Sequence, residues 1–220
     1  ILAYEEAFAR DSLQVAQILL TAEDMTSRKR YLNARNTLNT LLEWGVVPII
    51  NENDTVMVDE IKFGDNDNLA AVIALLMDSD LLINLTDIDG LYDKDPRVHA
   101  DAMRLPEINT IGKNIERYAS DIPGALGTGG MLTKIKAARK VTSAGIPMII
   151  ANGTQPDILH RVFSHSEVGT FFIPRRQRLS SRKCWLAFSL KPKGAVVIDD
   201  GASRAIMKRG KSLLPSGIVR

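Results

Sequence analysis

The chain has 220 residues, a formal net charge of +2, 45% hydrophobic residues and 25% charged residues. This length accommodates one α/β domain of ordinary size and part of a second, and the composition excludes a disordered or fibrous protein. No run approaches the ~20 apolar residues of a membrane-spanning helix, and no signal-peptide pattern opens the chain, so we expect a cytoplasmic protein without a membrane segment. The single cysteine, Cys184, excludes an internal disulfide framework.

The two ends of the chain predict a fragment. Residues 1–20 read as helix from the start, with amphipathic apolar spacing in 13–20, and no strand or cap precedes them. At the other end the chain stops just after the turn signal at Pro215 and Gly217, where a strand is predicted to begin. We therefore expect a longer parent protein.

Helical and strand patterns alternate along most of the chain. They predict a helix over 31–44 ended by Gly45, a strand over 46–50, a strand or hairpin over 55–63, a helix over 69–77, a strand over 81–85, a helix over 133–144 opened by Thr133, and a strand over 146–151. This order predicts an α/β fold, with a mainly parallel sheet sandwiched by helices and ligands beyond the carboxyl ends of the strands.

The composition shifts near Pro174. The stretch 175–193 contains seven Lys or Arg and no Asp or Glu, without clear periodicity, which indicates a linker. Beyond it, 194–202 predicts a strand and turn, and 203–209 a short helix. We therefore divide the chain into a domain over 1–173, a linker over 174–193 and an incomplete second domain over 194–220.

A glycine-rich stretch over 127–134 precedes the predicted helix. Its glycines allow backbone N–H groups to approach phosphate oxygens, the helix N-terminus adds partial positive charge, and Lys134 adds a full one. The spacing differs from a Walker loop, and a flexible connector capped by Thr133 is the alternative. The position of Lys134 inside the first helical turn favours phosphate binding.

Two clusters of amides and carboxylates lie over 51–54 and 64–67, in the orders Asn-Glu-Asn-Asp and Gly-Asp-Asn-Asp. Such side chains can hold the ammonium and carboxylate groups of an amino acid, but either cluster alone fits ordinary turns and caps equally well. The spacing of a calcium-binding EF-hand loop is missing. A third polar stretch begins at Thr86-Asp87, where its position favours a plain exit from a strand.

Taken together, these stretches resemble the glutamate 5-kinases of the amino-acid kinase family. The resemblance extends over nearly the whole chain and rests on segments at 33–35, 48–54, 60–67, 85–97, 127–134, 168–171, 182–185 and 199–202. The pairing of Gly-Asp-Asn-Asp with Gly-Thr-Gly-Gly-Met is its most specific part. The fold implied is that of the family, and the tail from about Lys193 is similar to the start of a PUA domain.

The resemblance also implies roles for particular residues. Those implied to bind glutamate are Asp54 and Asn66, with Asn51 and Asp65 beside them. Those implied to bind ATP are Thr86, Asp87, Thr128, Gly129, Gly130, Met131, Leu132, Thr133 and Lys134. Lys134 and Asp67 are the implied catalytic pair, with Asp67 orienting the lysine. The implied reaction is ATP-dependent phosphorylation of the glutamate side-chain carboxylate, the first step of proline biosynthesis.

The chemistry of that reaction is consistent with the residues. The acceptor carboxylate, with a usual pKa of ~4.3, is already ionised at neutral pH, so a general base is not required. Lysine, backbone N–H groups and Mg²⁺ held mainly through ATP would neutralise the transferring group, and no protein ligand set for a metal is expected. His99, His160 and His165 are scattered and predict no metal site.

Several expectations concern the whole protein. The family's first strand and second catalytic lysine would precede Ile1, so we expect this chain alone to be inactive and its full-length parent active. The family implies a homodimer or homotetramer and feedback inhibition by proline. The alternatives are another amino-acid kinase of the same fold, or a protein of a different class, either RNA-binding through the basic stretch 175–193 or a nucleotide-binding regulator.

Overall fold

The computed structural model describes residues 1–56, 65–120, 130–164, 166–176, 181–188 and 194–219, and the chain forms two units, Ile1–Ser189 and Leu190–Arg220. The strands of the first unit are β1 (Gln14–Leu20), β2 (Val46–Glu52), β3 (Leu82–Thr86), β4 (Glu107–Ile108), β5 (Met148–Asn152) and β6 (Thr170–Phe172). Its helices are α1 (Leu2–Ala9), α2 (Ala22–Thr26), α3 (Arg28–Glu43), α4 (Asn66–Met77), α5 (Lys113–Ser120), α6 (Met131–Ser143), α7 (Ile158–Phe163) and α8 (Ser181–Phe188).

The described strands form two sheets that are mainly parallel. One consists of β1 and β2, and the other has the order β3-β5-β6-β4. All neighbouring strands run parallel except β5 and β6. Four successive residues of β5, from Met148 to Ala151, are buried, so both faces of this strand are covered. The prediction of an α/β fold with a mainly parallel sheet is confirmed.

Helix α4 packs into two hydrophobic cores. Ala71, Ala74 and Leu75 belong to the core shared with α6 and the larger sheet. Leu69, Val72 and Leu76 belong to the core beneath β1, β2 and α3. The three- and four-residue spacing of each set places the two sets on different sides of the helix. Two apolar sides fix the axis of α4, and with it the direction of its N-terminus.

The predicted helix over 13–20 is wrong, because residues 14–20 form β1. Each residue of β1 pairs in parallel with one of β2, from Gln14 with Val46 to Leu20 with Glu52. A short apolar run fits a buried strand as well as a helix, and periodicity does not separate the two. The pairing partner, which lies more than thirty positions further along the chain, decides the outcome.

The stretch predicted as a linker contains helix α8. Its Trp185 indole Nε1 donates a 3.0 Å hydrogen bond to the Met25 backbone oxygen, and its ring meets that of Tyr31 edge to face. The guanidinium of Arg28 lies over both rings. Cys184 is buried in the core of the first unit. These aromatic and apolar contacts stabilise α8, a helix that the basic and aperiodic composition of the stretch did not predict.

The second unit contains α9 (Asp200–Arg209) and a short 3-10 helix, Pro215–Gly217. The predicted strand is wrong except at Ile198, which forms an isolated antiparallel bridge with Ile218. Helix α9 begins three residues before the predicted Ser203, because the Asp199 side chain caps it through the Ala202 N–H at 2.7 Å. In the parts of both units that the structure describes, no helix is both long and apolar enough to cross a membrane.

Candidate phosphoryl-transfer site

The first turns of α4 and α6 meet at the carboxyl end of β3. Asp67 is the second residue of α4, and Lys134 is the fourth of α6. The Lys134 ammonium lies 3.1 Å from Asp67 Oδ2 and 3.3 Å from Oδ1, and the side chains are only 13% and 12% exposed. The predicted catalytic residues are therefore in direct contact, in a position where two helix N-termini favour an anion.

The Asp67 carboxylate also accepts two neutral donors. Thr133 Oγ1 lies 2.6 Å from Oδ2, and Asn84 Nδ2 lies 2.6 Å from Oδ1. Thr133 does not cap its helix as predicted. Helix α6 begins at Met131 after Gly130, and the Thr133 hydroxyl contacts Asp67 and the Gly130 oxygen instead. The helix starts earlier because the extended Gly130 residue already occupies the cap position.

The sequence motifs did not indicate a role for Asn84. It is a buried polar residue in β3 between apolar neighbours, 8% exposed. A buried amide without a hydrogen bond costs free energy, so an asparagine within an otherwise apolar strand indicates a specific partner. A single polar residue within an apolar strand was the available signal for a buried hydrogen bond, but the sequence does not identify Asp67 as the partner.

The residues predicted to bind ATP are placed differently from one another. Thr86 ends β3, its hydroxyl lies 3.1 Å from the exposed Asp87 carboxylate, and its backbone oxygen accepts from the Gly153 N–H. The Met131 side chain is buried in the core and Leu132 packs against it, so at these residues only the backbone can face a ligand. Thr128 and Gly129 lie outside the described residues.

The residues predicted to bind glutamate occupy the end of β2 and the start of α4. Asn51 is exposed near the end of β2, and Asp54 is exposed in the 3-10 turn Asp54–Val56 that follows. Asn66 is the exposed first residue of α4. Asp65 caps this helix, since its Oδ1 accepts the Asn68 N–H at 2.7 Å. Most of the predicted excursion over 55–63, and Gly64, lie outside the described residues.

A second lysine contacts the start of α4. Lys140, two turns after Lys134 on α6, is partly buried and donates to Asn68 Oδ1. Burial lowers the pKa of its ammonium, and the nearby Asp65 carboxylate opposes that effect. The first turn of α4 is therefore fixed to α6 at two points, through Asp67 and through Asn68.

A polar cavity of about 190 Å³ opens beside the loop after β3. The Asp89 carboxylate at its wall accepts from Asn152 Nδ2 at 2.9 Å and from Gln155 Nε2 at 2.7 Å. These bonds join the loops that follow the neighbouring parallel strands β3 and β5. Asp89 belongs to the polar stretch that begins at Thr86-Asp87 and was predicted only as an exit from a strand, so its bridging contact was missed.

This geometry defines a class of protein, an α/β protein with a mainly parallel sheet and a candidate anion site where the N-termini of two helices meet. Residues 1–152 match the amino acid kinase family. The chain belongs to that family.

Curated relatives agree with this assignment. The chain is 54% identical over 218 residues to a glutamate 5-kinase from Geobacter metallireducens, covering 99% of this chain and 58% of the relative. It is 55% identical over 216 residues to one from Syntrophus aciditrophicus, covering 98% and 56%. The chain thus spans less than two thirds of the length of these relatives.

The solved structures show the fold alone. UMP kinase from Ureaplasma parvum matches with a TM-score of 0.54 and 16% identity, covering 78% of this chain and 65% of that one. Carbamate kinase from Giardia lamblia bound to AMP-PNP matches with a TM-score of 0.53 and 20% identity, covering 79% and 67%.

Proposed function

We propose that this chain carries the acceptor and phosphoryl-transfer site of a glutamate 5-kinase, which moves the γ-phosphoryl group of ATP onto the side-chain carboxylate of L-glutamate. The observation that carries the proposal is the partly buried contact between Lys134 and Asp67 at two converging helix N-termini. Relatives named glutamate 5-kinase, 54% and 55% identical over nearly the whole chain, support the choice of acceptor. The product, L-glutamyl 5-phosphate, opens proline biosynthesis.

The position of Lys134 supports its proposed role in phosphoryl transfer. An ammonium has three N–H donors, and those not used by Asp67 can bind oxygens of the transferring group. Negative charge spreads over these oxygens in the transition state, and a fixed cation in a water-poor site stabilises it there. The Asp67 carboxylate holds the ammonium in place without accepting a proton from substrate. The acceptor is already an anion, so alignment and charge neutralisation are the main tasks.

The acceptor would bind between the end of β2 and the start of α4. We propose that Asp54 accepts from the glutamate ammonium, and that Asn66 and Asn51 donate to its carboxylates. Asp65 already caps α4 through Asn68, so its contribution to binding is to orient the helix start that presents Asn66. Asp54, Asn66 and Asn51 are exposed, as substrate contact requires.

The nucleotide would bind along the N-terminus of α6 and the loop after β3. Thr86, Asp87 and the stretch 128–134 are the proposed contacts, with Met131 and Leu132 contributing backbone groups. Among the residues that the structure describes, no three His, Cys, Asp or Glu side chains form a metal site. The Asp67 carboxylate is already paired with Lys134. A magnesium ion at this site would therefore be held mainly by the triphosphate and by water. When bound, Mg²⁺ supplies further neutralisation of phosphate charge.

The proposal is tested by measuring ADP formation from ATP with glutamate, aspartate and UMP as acceptors. We expect the complete product of this gene to respond to glutamate far more strongly than to the other two, and the 220-residue chain to bind ATP in calorimetry without comparable turnover. Aspartate is the matched acceptor because it differs from glutamate by one methylene. A complete gene product that phosphorylates UMP or aspartate as readily as glutamate would contradict the proposed acceptor.

A further inference from the structure

We infer that Asn84 is a positioning residue for phosphoryl transfer, because it anchors the Asp67 carboxylate from the sheet while Lys134 contacts it from α6. The inference rests on the proposed function, since it assigns a role within that site. The Asn84 amide donates to Asp67, so the proposed role is exerted through that carboxylate.

Burial of the Asn84 amide in an apolar part of β3 costs free energy, which its hydrogen bond to Asp67 must offset. Alternate residues of a strand share a face, and Leu82, on the same face of β3 as Asn84, packs against the hydrophobic core. Leucine would suit that surface better than asparagine, because a buried amide loses its hydrogen bonds to water. The contact that compensates is the 2.6 Å bond from Asn84 Nδ2 to Asp67 Oδ1.

The other neutral donor to Asp67 is divided between two acceptors. Thr133 Oγ1 lies 2.6 Å from Asp67 Oδ2 and 2.7 Å from the Gly130 oxygen. A hydroxyl has one proton, so it donates to only one of these oxygens at a time. The Asn84 amide has two N–H groups, and its bond to Asp67 does not depend on this exchange. Asn84 is therefore the steadier of the two neutral donors.

The direction of the Asn84–Asp67 hydrogen bond, as well as its strength, affects the orientation of the Asp67 carboxylate. Thr133 and Lys134 both reach Asp67 from the first turn of α6, whereas Asn84 reaches it from β3. Donors from two elements fix the rotation of a carboxylate better than donors from one. With the carboxylate fixed, the Lys134 ammonium is held in one direction. Without Asn84 we expect Asp67 to turn toward α6 and Lys134 to leave the position from which it would contact the transferring group.

Two variants separate this role from a merely structural one. Asn84→Leu removes the donor, keeps the number and branching of the side-chain heavy atoms and suits the apolar surroundings. Asn84→Asp keeps the shape and replaces the amide with a second carboxyl group facing Asp67 on α4 and Lys134 on α6. When protonated, the new group donates to Asp67, and when ionised it repels Asp67. The matched control is Thr142→Val, which removes a buried hydroxyl from α6 that bonds to the Ala138 oxygen.

The experiment measures kcat and KM for the complete gene product and its variants between about pH 6 and pH 8, the range in which a carboxyl group paired with another carboxylate can titrate. We expect Asn84→Leu to lower kcat about tenfold with a smaller change in the glutamate KM, as for loss of a group that orients a catalytic side chain. We expect the kcat of Asn84→Asp relative to wild type to rise as the pH falls, and Thr142→Val to keep wild-type kcat. A kcat for Asn84→Leu within twofold of wild type, or a pH-independent ratio for Asn84→Asp, overturns the inference.

A structural readout keeps this inference distinct from the proposed function. An inactive wild-type gene product would contradict the function, and crystal structures of wild type, Asn84→Leu and Thr142→Val would still decide the positioning role. We expect the Asp67 carboxylate to rotate and the Lys134 ammonium to move only in Asn84→Leu. An unmoved Asp67–Lys134 pair in that variant overturns the inference whether or not the enzyme turns over.

Discussion

Asp67 and Lys134 are separated by 67 positions in the chain and lie in the first turns of two different helices, yet their charged groups are 3.1 Å apart. The pair is mostly shielded from water. Opposite charges attract more strongly in such a partly buried position than on the surface. It also lies where the N-termini of α4 and α6 converge, so the positive ends of both helices face the same region. An anion that enters this region meets the Lys134 ammonium and the positive ends of both helices, and the Asp67 carboxylate offsets part of this positive potential.

Substitution of Lys134 should affect the chemical step most. We expect Lys134→Met to lower kcat about 100-fold or more, because it removes a fixed cation from the region where phosphoryl charge develops. The measurement is ADP formation at saturating ATP and glutamate. Lys136→Met is the matched control, since Lys136 is exposed on the same helix. Equal losses in the two variants would show that general charge on α6, rather than Lys134, matters.

The Thr133 hydroxyl should contribute through Asp67. We expect Thr133→Val to lower kcat about tenfold, because it removes the hydroxyl that bonds to Asp67 and leaves an apolar methyl group against the carboxylate. Thr133→Ser keeps the hydroxyl and should stay within about threefold of wild type. Thermal unfolding of both variants checks that the fold is intact. A serine variant as impaired as the valine variant would show that the hydroxyl bond to Asp67 is not what limits kcat.

Gly90 should be indispensable for the loop that follows β3. Its φ of +141° disfavours any side chain, and an added Cβ would lie 2.6 Å from Thr170 Oγ1, which accepts the Leu91 N–H and donates to the Leu105 oxygen. We expect Gly90→Ala to lower the free energy of unfolding by about 2–3 kcal/mol in urea titrations.

Gly112→Ala is the control for this substitution, because a Cβ at Gly112 would meet no atom within 4 Å. Its effect should stay within about 0.5 kcal/mol. If the two alanine variants were equally stable, the close approach of Gly90 to Thr170 would not constrain the loop.

Lys140 should make stability depend on pH in a defined direction. Burial lowers the pKa of its ammonium in the folded protein, so between that pKa and the usual lysine value of 10.5 the unfolded chain binds more protons than the folded one. The free energy of unfolding therefore rises with pH in that window through this group. We expect wild type to gain stability relative to Lys140→Met as the pH rises toward 10.5, measured by urea unfolding at each pH.

The difference between wild type and Lys140→Met is the required quantity, because other lysines titrate in the same range and cancel in the comparison. Lys136→Met again serves as control, since Lys136 is exposed and its substitution should give no such trend. A constant difference for Lys140→Met across this pH range would mean that Lys140 is hydrated in the folded protein.

Local sequence patterns correctly predicted parts of α3, β2 and α4. Helix α3 ends at Glu43 with Trp44 as its C-cap, and the following Gly45 has a φ of +72°, as the glycine after the amphipathic run predicted. The strand and helix patterns around 46–50 and 69–77 are confirmed as parts of β2 and α4. In these elements the apolar pattern and the length agree with the observed structure, so the local pattern indicates the correct element.

The errors occur where local preferences are balanced. The apolar spacing in residues 13–20 fits a helix, but a strand forms because β2 supplies a parallel partner. The stretch with helix α8 is basic and irregular, and contacts of Trp185 with Met25 and Tyr31 stabilise it. Pairing and aromatic packing are long-range interactions, so no window of neighbouring residues contains them.

The amino-acid sequence by itself determined the alternation of strands and helices, the glycine-rich start of α6 and the polar residues that follow the strands, because these depend on side-chain period and turn chemistry over a few residues. Only the tertiary structure decided that Lys134, Thr133 and Asn84 converge on one carboxylate. Their convergence requires the two apolar sides of α4 to fix its axis between two cores, and that packing exists only once the whole unit has folded.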